Sequence, residues 1–168
     1  MSPVDVVEWE QRIADAWERF DELGDERFLA LLAKLAPQGP EAAALYEQGS
    51  AFDSTGHEAE AVELYERALA AGLGEDRRRQ AVIQLASSLR NLGRAADGAA
   101  LLEAEQSAVS DELDDAVRAF LALCLVDAGR EREAVGVALQ ALAAHLPRYA
   151  RSVRAYAGEL RGSGSDRI

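Results

Sequence analysis

Residues 45–69 read LYEQGSAFDSTGHEAEAVELYERAL, and the order of large and small side chains in this stretch decides the fold. Leu45, Gly49 and Phe52 recur at helical spacing. After Ser54, Thr55 and Gly56 the same spacing returns as Ala61, Tyr65 and Ala68. Two apolar stripes of period 3.6 interrupted by a glycine describe two short helices folded back on each other. The small residues on each stripe let the helices approach closely, and the large ones fill the space beside them. Gly56 suits the turn because glycine takes left-handed backbone angles that end a helix.

The same punctuation returns at Gly93 and Gly129, 37 and 36 residues further on. Each glycine is followed four positions later by a carboxylate, Glu60, Asp97 or Glu133, placed to favour the N-terminus of the next helix. In the second copy Val82, Leu85, Ala86 and Leu89 face Gly98 and Leu102. In the third, Leu121, Ala122 and Leu125 face Ala134, Ala138 and Ala141. A period in the thirties with two helices per unit is the mark of stacked helical repeats. The pattern resembles the tetratricopeptide repeat. Glu105, where a small residue is usual, and Arg118, where a large apolar one is usual, depart from it.

The resemblance implies an all-α right-handed solenoid of about four antiparallel hairpins with a C-terminal cap helix. Residues 1–162 are expected to form a single domain. An atypical N-terminal hairpin spans 3–37, repeats span about 42–75, 79–112 and 115–148, a cap helix spans 148–162, and 163–168 form a disordered tail. Ser2 is the expected N-cap and Pro3 the first helical residue. Val6, Trp9, Ile13, Trp17 and Phe20 form a stripe whose tryptophans close one end of the core. In the cap helix Tyr149, Val153, Tyr156 and Leu160 form the packing stripe, and Arg148, Arg151, Arg154 and Arg161 lie off it.

Composition agrees with a helical protein: Ala and Leu dominate, four prolines are present, and aromatics make up 6%. The net charge of −12 is uneven. Residues 1–76 carry eighteen Asp and Glu against five Lys and Arg, a net of −13; residues 77–168 carry twelve against thirteen, a net of +1. An acidic half repels phosphate backbones, so a nucleic-acid partner is not expected, whereas a basic segment is attracted. A single cysteine, Cys124, requires no oxidising compartment, and the N-terminal residues lack the features of a signal peptide. The longest apolar run, AFLALCLV, is too short to span a bilayer. The expectation is a soluble cytoplasmic protein with no membrane partner.

No catalytic constellation stands out. His57 reads as a turn residue and His145 as a residue of a helix's last turn. DELDD (111–115) lacks the alternating ligands and glycine of a calcium loop, so its acids read as helix-start charges. No phosphate loop, dinucleotide fingerprint or zinc spacing is found, so neither cofactor nor metal is expected and the chain reads as non-enzymatic.

The family resemblance implies that the first helix of each hairpin lines a concave groove for a protein or peptide partner. On the second copy that face carries Gln80, Ile83, Gln84, Ser87, Arg90 and Asn91, opposite Leu85, Ala86, Leu89 and Leu92 in the core. On the first it carries Tyr46, Glu47, Ser50, Asp53 and Ser54. The groove candidates are Tyr46, Ser50, Asp53, Gln84, Ser87, Arg90 and Asn91, with Arg90 and Asn91 as the most specific contacts. Two roles are open to these side chains: contacts to a ligand, or bonds to neighbouring helices and water. The chaperone-tail clamp of the family is not expected, because its positions read Tyr46, Ser50, Gln84, Ala116 and Phe120, with no cation. Ala119, Leu123 and Val126 make the third inner face apolar. It is expected to lie under the C-terminal helix, the alternative being an exposed patch for association. Beside peptide binding stand two other readings: self-association as a homodimer or scaffold, and a small-ligand sensor. The chain is similar to compact bacterial tetratricopeptide proteins with no assigned activity.

Overall fold

A computed structural model describes residues 5–108 and 110–162. Every regular element among them is helical. In chain order these are α1 (Val6–Glu18), α2 (Phe20–Leu23), α3 (Asp25–Leu35), a 3₁₀ turn (Ala36–Gln38), α4 (Glu41–Ser54), α5 (Glu58–Ala70), α6 (Glu75–Asn91), α7 (Ala95–Ala108), α8 (Asp114–Asp127), α9 (Glu131–Ala143) and α10 (Ala150–Leu160). The chain divides into two compact units, residues 1–88 and 89–168.

The three turn glycines do what their spacing predicts. Gly56, Gly93 and Gly129 have φ of +75°, +78° and +75°. At the first, the N–H of His57 reaches back to the carbonyl of Phe52 at 2.9 Å, closing the last turn of α4. The same bond recurs from Arg94 to Leu89 and from Arg130 to Leu125, each at 2.8 Å. Arg94 and Arg130 then grip the carboxylate three residues on, Asp97 and Glu133, at the start of α7 and α9.

In the first unit α1 packs on α3, α3 on α4, and α4 on α5. Tyr65 of α5 is fully buried, and an ideal Cβ on Gly49 of α4 would lie 3.0 Å from its ring. Glycine at 49 is therefore what lets α4 approach α5. The N-terminal end is closed by aromatics. Trp9 is 1% exposed and donates its Nε1–H to the Leu35 carbonyl at 3.1 Å. Trp17, Phe20 and Phe28 pack tilted or edge-on, with ring centroids 4.7 to 6.1 Å apart.

The start of this end differs from expectation. Asp5 caps α1 by accepting from the Val7 N–H at 3.0 Å, and Val6 is 50% exposed rather than part of the stripe. Ser2 and Pro3 lie outside the described residues, as does the 163–168 tail. The helix also breaks at Arg19 (φ −97°, ψ 7°), which turns Phe20 towards Trp17 and Phe28.

In the second unit α7 packs on α8, α8 on α9, and α9 on α10. Leu89, Leu102, Val117, Leu121, Cys124 and Leu125 are buried, each large aliphatic side chain contributing about 1.5–3 kcal/mol. Leu92 is 43% exposed, because α6 ends one residue before it. The α9 stripe steps by three from Ala134 to Val137, which leaves Ala138 exposed.

The C-terminal helix corrects two expectations. Its packing stripe is Val153, Ala157 and Leu160; Tyr149 and Tyr156 are 78% and 61% exposed. Tyr149 takes a left-handed φ of +66° just before α10, and the stripe that follows turns the tyrosines outward. The apolar face of α8 is also open. α10 lies along α9, and Leu123 and Val126 remain 45% and 46% exposed.

Gly136 explains how closely α10 sits. A Cβ there would lie 2.8 Å from the Ala157 carbonyl oxygen and 3.1 Å from Leu160 Cβ. Gly136→Ala is therefore expected to push α10 away and cost about 1–3 kcal/mol. Hydrogen exchange should show the amides of α10 losing protection while those of α1 to α5 keep theirs.

Candidate functional site

A cleft of about 660 Å³ opens in the first unit along the first-helix face. Its walls come from α1 (Glu10, Ala14, Trp17), α4 (Tyr46, Glu47, Ser50, Ser54) and α6 (Asp76, Arg77, Gln80, Gln84). A helix turn every 3.6 residues puts these positions on one face of each helix.

The floor is a charged knot around Arg77. Its Nε donates to Glu47 Oε1 at 3.1 Å, its Nη1 to Asp76 Oδ2 at 3.1 Å, and its Nη2 to Glu10 Oε2. Glu47 is 5% exposed and also accepts the Trp17 indole N–H at 2.9 Å. The Arg77 guanidinium carbon lies 5.9 Å from the Trp9 ring centroid. Burial works against the charge on Arg77, but the hydrogen bonds to Glu10 and Glu47 outweigh it and hold the guanidinium firmly charged. Three carboxylates surround one cation here, so the cleft is acidic.

One wall is a ladder of hydrogen bonds between α4 and α6. Tyr46 Oη donates to Gln80 Oε1 at 3.1 Å and Ser50 Oγ to Gln84 Oε1 at 3.1 Å, each pair 34 residues apart. Ser88 Oγ donates to Asp53 Oδ1 at 2.8 Å. Tyr65 reaches in from α5, with its Oη 2.5 Å from Gln84 Oε1, 3.3 Å from Ser50 Oγ and 3.5 Å from Asp53 Oδ2. Its single proton goes to Gln84, the nearest acceptor. Burial raises the pKa of both Tyr46 and Tyr65, so both stay protonated donors at neutral pH.

Burial also raises the Asp53 carboxyl above its ordinary value, and the nearby Glu58 adds to this. The hydrogen bond from Ser88 opposes the shift. A folded-state pKa above the unfolded one favours the protonated form. The stability this gives is complete below the unfolded pKa and is lost as pH rises through the folded pKa. Ionised Asp53 is thus a cost at neutral pH. Asp53→Asn keeps an acceptor for Ser88 and should raise Tm at pH 7 by about 2 °C, with the gain vanishing at acidic pH. Thermal melts of both proteins across pH check this.

Of the residues singled out from sequence, Tyr46, Ser50 and Gln84 line the cleft and Asp53 lies in the adjoining ladder. Ser87 is half-buried. Arg90 and Asn91 belong to the second unit: Asn91 is exposed, and Arg90 Nε lies 2.6 Å from Asp127 Oδ2. Burial pushes the Cys124 thiol up, Arg90 pulls it down and Asp127 pushes it up. His145 lies just beyond α9, with Nε2 2.8 Å from Asp115, whose carboxyl that bond and the one from Arg118 hold below the usual range.

Reading the sequence missed Arg77 as the centre of the floor, together with Glu10. A signal existed. The 34-residue step that joins Tyr46 to Gln80 also places Arg77 level with Ala43, one turn before Glu47 on α4. The Glu10 contact, 67 residues away in sequence, had no such signal.

No helix among the described residues is long and apolar enough to cross a membrane. A family model described as Tetratrico peptide repeat matches residues 42–160, well over half of the chain. Searches of curated proteins and of solved structures found no match. The match runs from the start of α4 to the end of α10 and takes in the three glycine-turned hairpins, so the chain belongs to the tetratricopeptide repeat family.

Proposed function

We propose that the first-helix face of residues 1–88 binds a peptide segment of a partner protein. Tetratricopeptide repeats are in general protein–protein interaction modules, and the family supplies that coarse statement. The cleft itself supports the finer reading. It is open, about 660 Å³ in volume, and its polar floor is held in place by bonds within the chain. Walls fixed in advance reduce the ordering cost of binding. Tyr46, Ser50 and Gln84 form the rigid wall, while the exposed Asp76 and Gln80 and the rim residue Glu10 offer carboxylate and amide groups to a ligand. A short peptide ordered on such a surface binds with a Kd of about a micromolar or weaker.

A displayed peptide library selected on the full chain tests this reading. Ala14 is exposed and lines the cleft without joining its bonds, so Ala14→Lys obstructs the cleft and leaves the fold intact. Enriched peptides that lose at least about tenfold in affinity for Ala14→Lys support the groove. No enrichment, or equal binding to the variant, removes it.

A further inference from the structure

We infer that the occupant of this cleft is the arginine face of α10 from a second copy of the chain, an inference that rests on the groove reading above. Two unmatched surfaces point to it. Arg148, Arg151 and Arg154 stand three residues apart and exposed, and none makes an ion pair among the described residues. Arg77, Arg90, Arg94, Arg118 and Arg130, by contrast, each hold a carboxylate. From Ala134 to Gly162 the sequence contains four arginines and one acid, Glu159. Tyr149 and Tyr156, 78% and 61% exposed, flank the same arginines. Within its own chain α10 is held to α9 by Val153, Ala157 and Leu160, and its cationic side has no ion-pair partner among the described residues.

The cleft is the complementary surface. Glu10, Glu47 and Asp76 outnumber Arg77, in a stretch whose first 76 residues carry a net of −13. Arg77 bonds all three carboxylates but cancels one of their charges, and the two left over face solvent through Asp76, whose side chain is 72% exposed, and Glu10 at 38%. In this proposal an incoming guanidinium bonds the exposed oxygens of those two carboxylates, and a tyrosine ring packs on the cleft-lining Trp17 and Ala14. A phosphate backbone is the weaker match for the arginine face, because the chain as a whole carries −12. One short helix buries little area, so the contact is weak and carried by charge, with a Kd of about 10–100 µM that weakens with salt.

Sedimentation velocity on the full chain over rising concentration tests the inference. The mass should rise with concentration in low salt and return to that of a monomer in high salt. Arg151→Glu/Arg154→Glu and Asp76→Arg, each melting like the wild type, should stay monomeric alone. Mixing them should restore association, because the reversed charges match. A wild type that is monomeric throughout overturns the proposal. So does association that survives Arg151→Glu/Arg154→Glu, or binding of an RNA oligonucleotide that this variant loses. If the wild type is monomeric while the cleft still selects peptides that Ala14→Lys blocks, the groove stands and only its occupant falls.

Discussion

Arg77→Met is expected to destabilise the first unit by about 3–5 kcal/mol, the largest effect of any single change near the cleft. The reason lies in what it leaves behind. Glu47 is 5% exposed, and among the described residues its carboxylate is answered by two groups, the Arg77 Nε and the Trp17 indole N–H. Methionine fills the space of the arginine stem but supplies no charge, so a buried carboxylate keeps one neutral donor. Removing one partner of a buried pair costs far more than removing both. The double variant Arg77→Met/Glu47→Gln should therefore recover at least about half of the loss, since glutamine still accepts from Trp17. Urea titrations of the two single variants and the double variant give the coupling directly. A loss of under about 1 kcal/mol in Arg77→Met would mean that the knot contributes no more than an exposed ion pair.

Gly39→Ala is the second large change, at about 3 kcal/mol. A Cβ at residue 39 would lie 2.2 to 2.7 Å from three atoms of the Trp9 indole. Trp9 cannot simply retreat. It is 1% exposed, packed with Ile13, Ala16, Phe28 and Leu32, and tied by its N–H to the Leu35 carbonyl. The backbone angle at Gly39, φ −99°, is open to any residue, so the cost is contact and not conformation. Quenching or a spectral shift of Trp9 emission together with a lower urea midpoint would establish it; an unchanged midpoint would show that the 36–39 turn yields freely. Glycine at 39 thus acts as a seat for the tryptophan that closes this end of the core.

Much of the fold was legible because helical hairpins are local objects. The glycine spacing, the small-large alternation around Tyr65 and the first-turn acids each depend on residues within one or two turns, where period and backbone preference suffice. The candidate site was legible only where the repeat carried it. Tyr46, Ser50 and Gln84 could be read from their places on the first helices of adjacent repeats, and they line the cleft. Arg90 could be read as polar and inner-facing, but not as a partner of Asp127, because that pairing joins residues 37 apart through packing. The tyrosines of α10 were misassigned for a similar reason. A stripe of aromatics at helical spacing looks like a packing face, yet Gly136 draws the helix in on Ala157 and leaves the rings outside.

By itself, then, the sequence determined the helices, their hairpin turns, the tetratricopeptide pattern and the concentration of negative charge in residues 1–76. Only the tertiary structure decided which polar side chains are consumed by their neighbours and which still face solvent. A single arginine holds Glu10 and Glu47, from two different helices, while Arg151 and Arg154 of α10 and Arg148 just before it hold no carboxylate among the described residues. Hydrogen bonds and ion pairs are short-ranged, so their partners follow from distances between helices that no periodicity along one chain encodes.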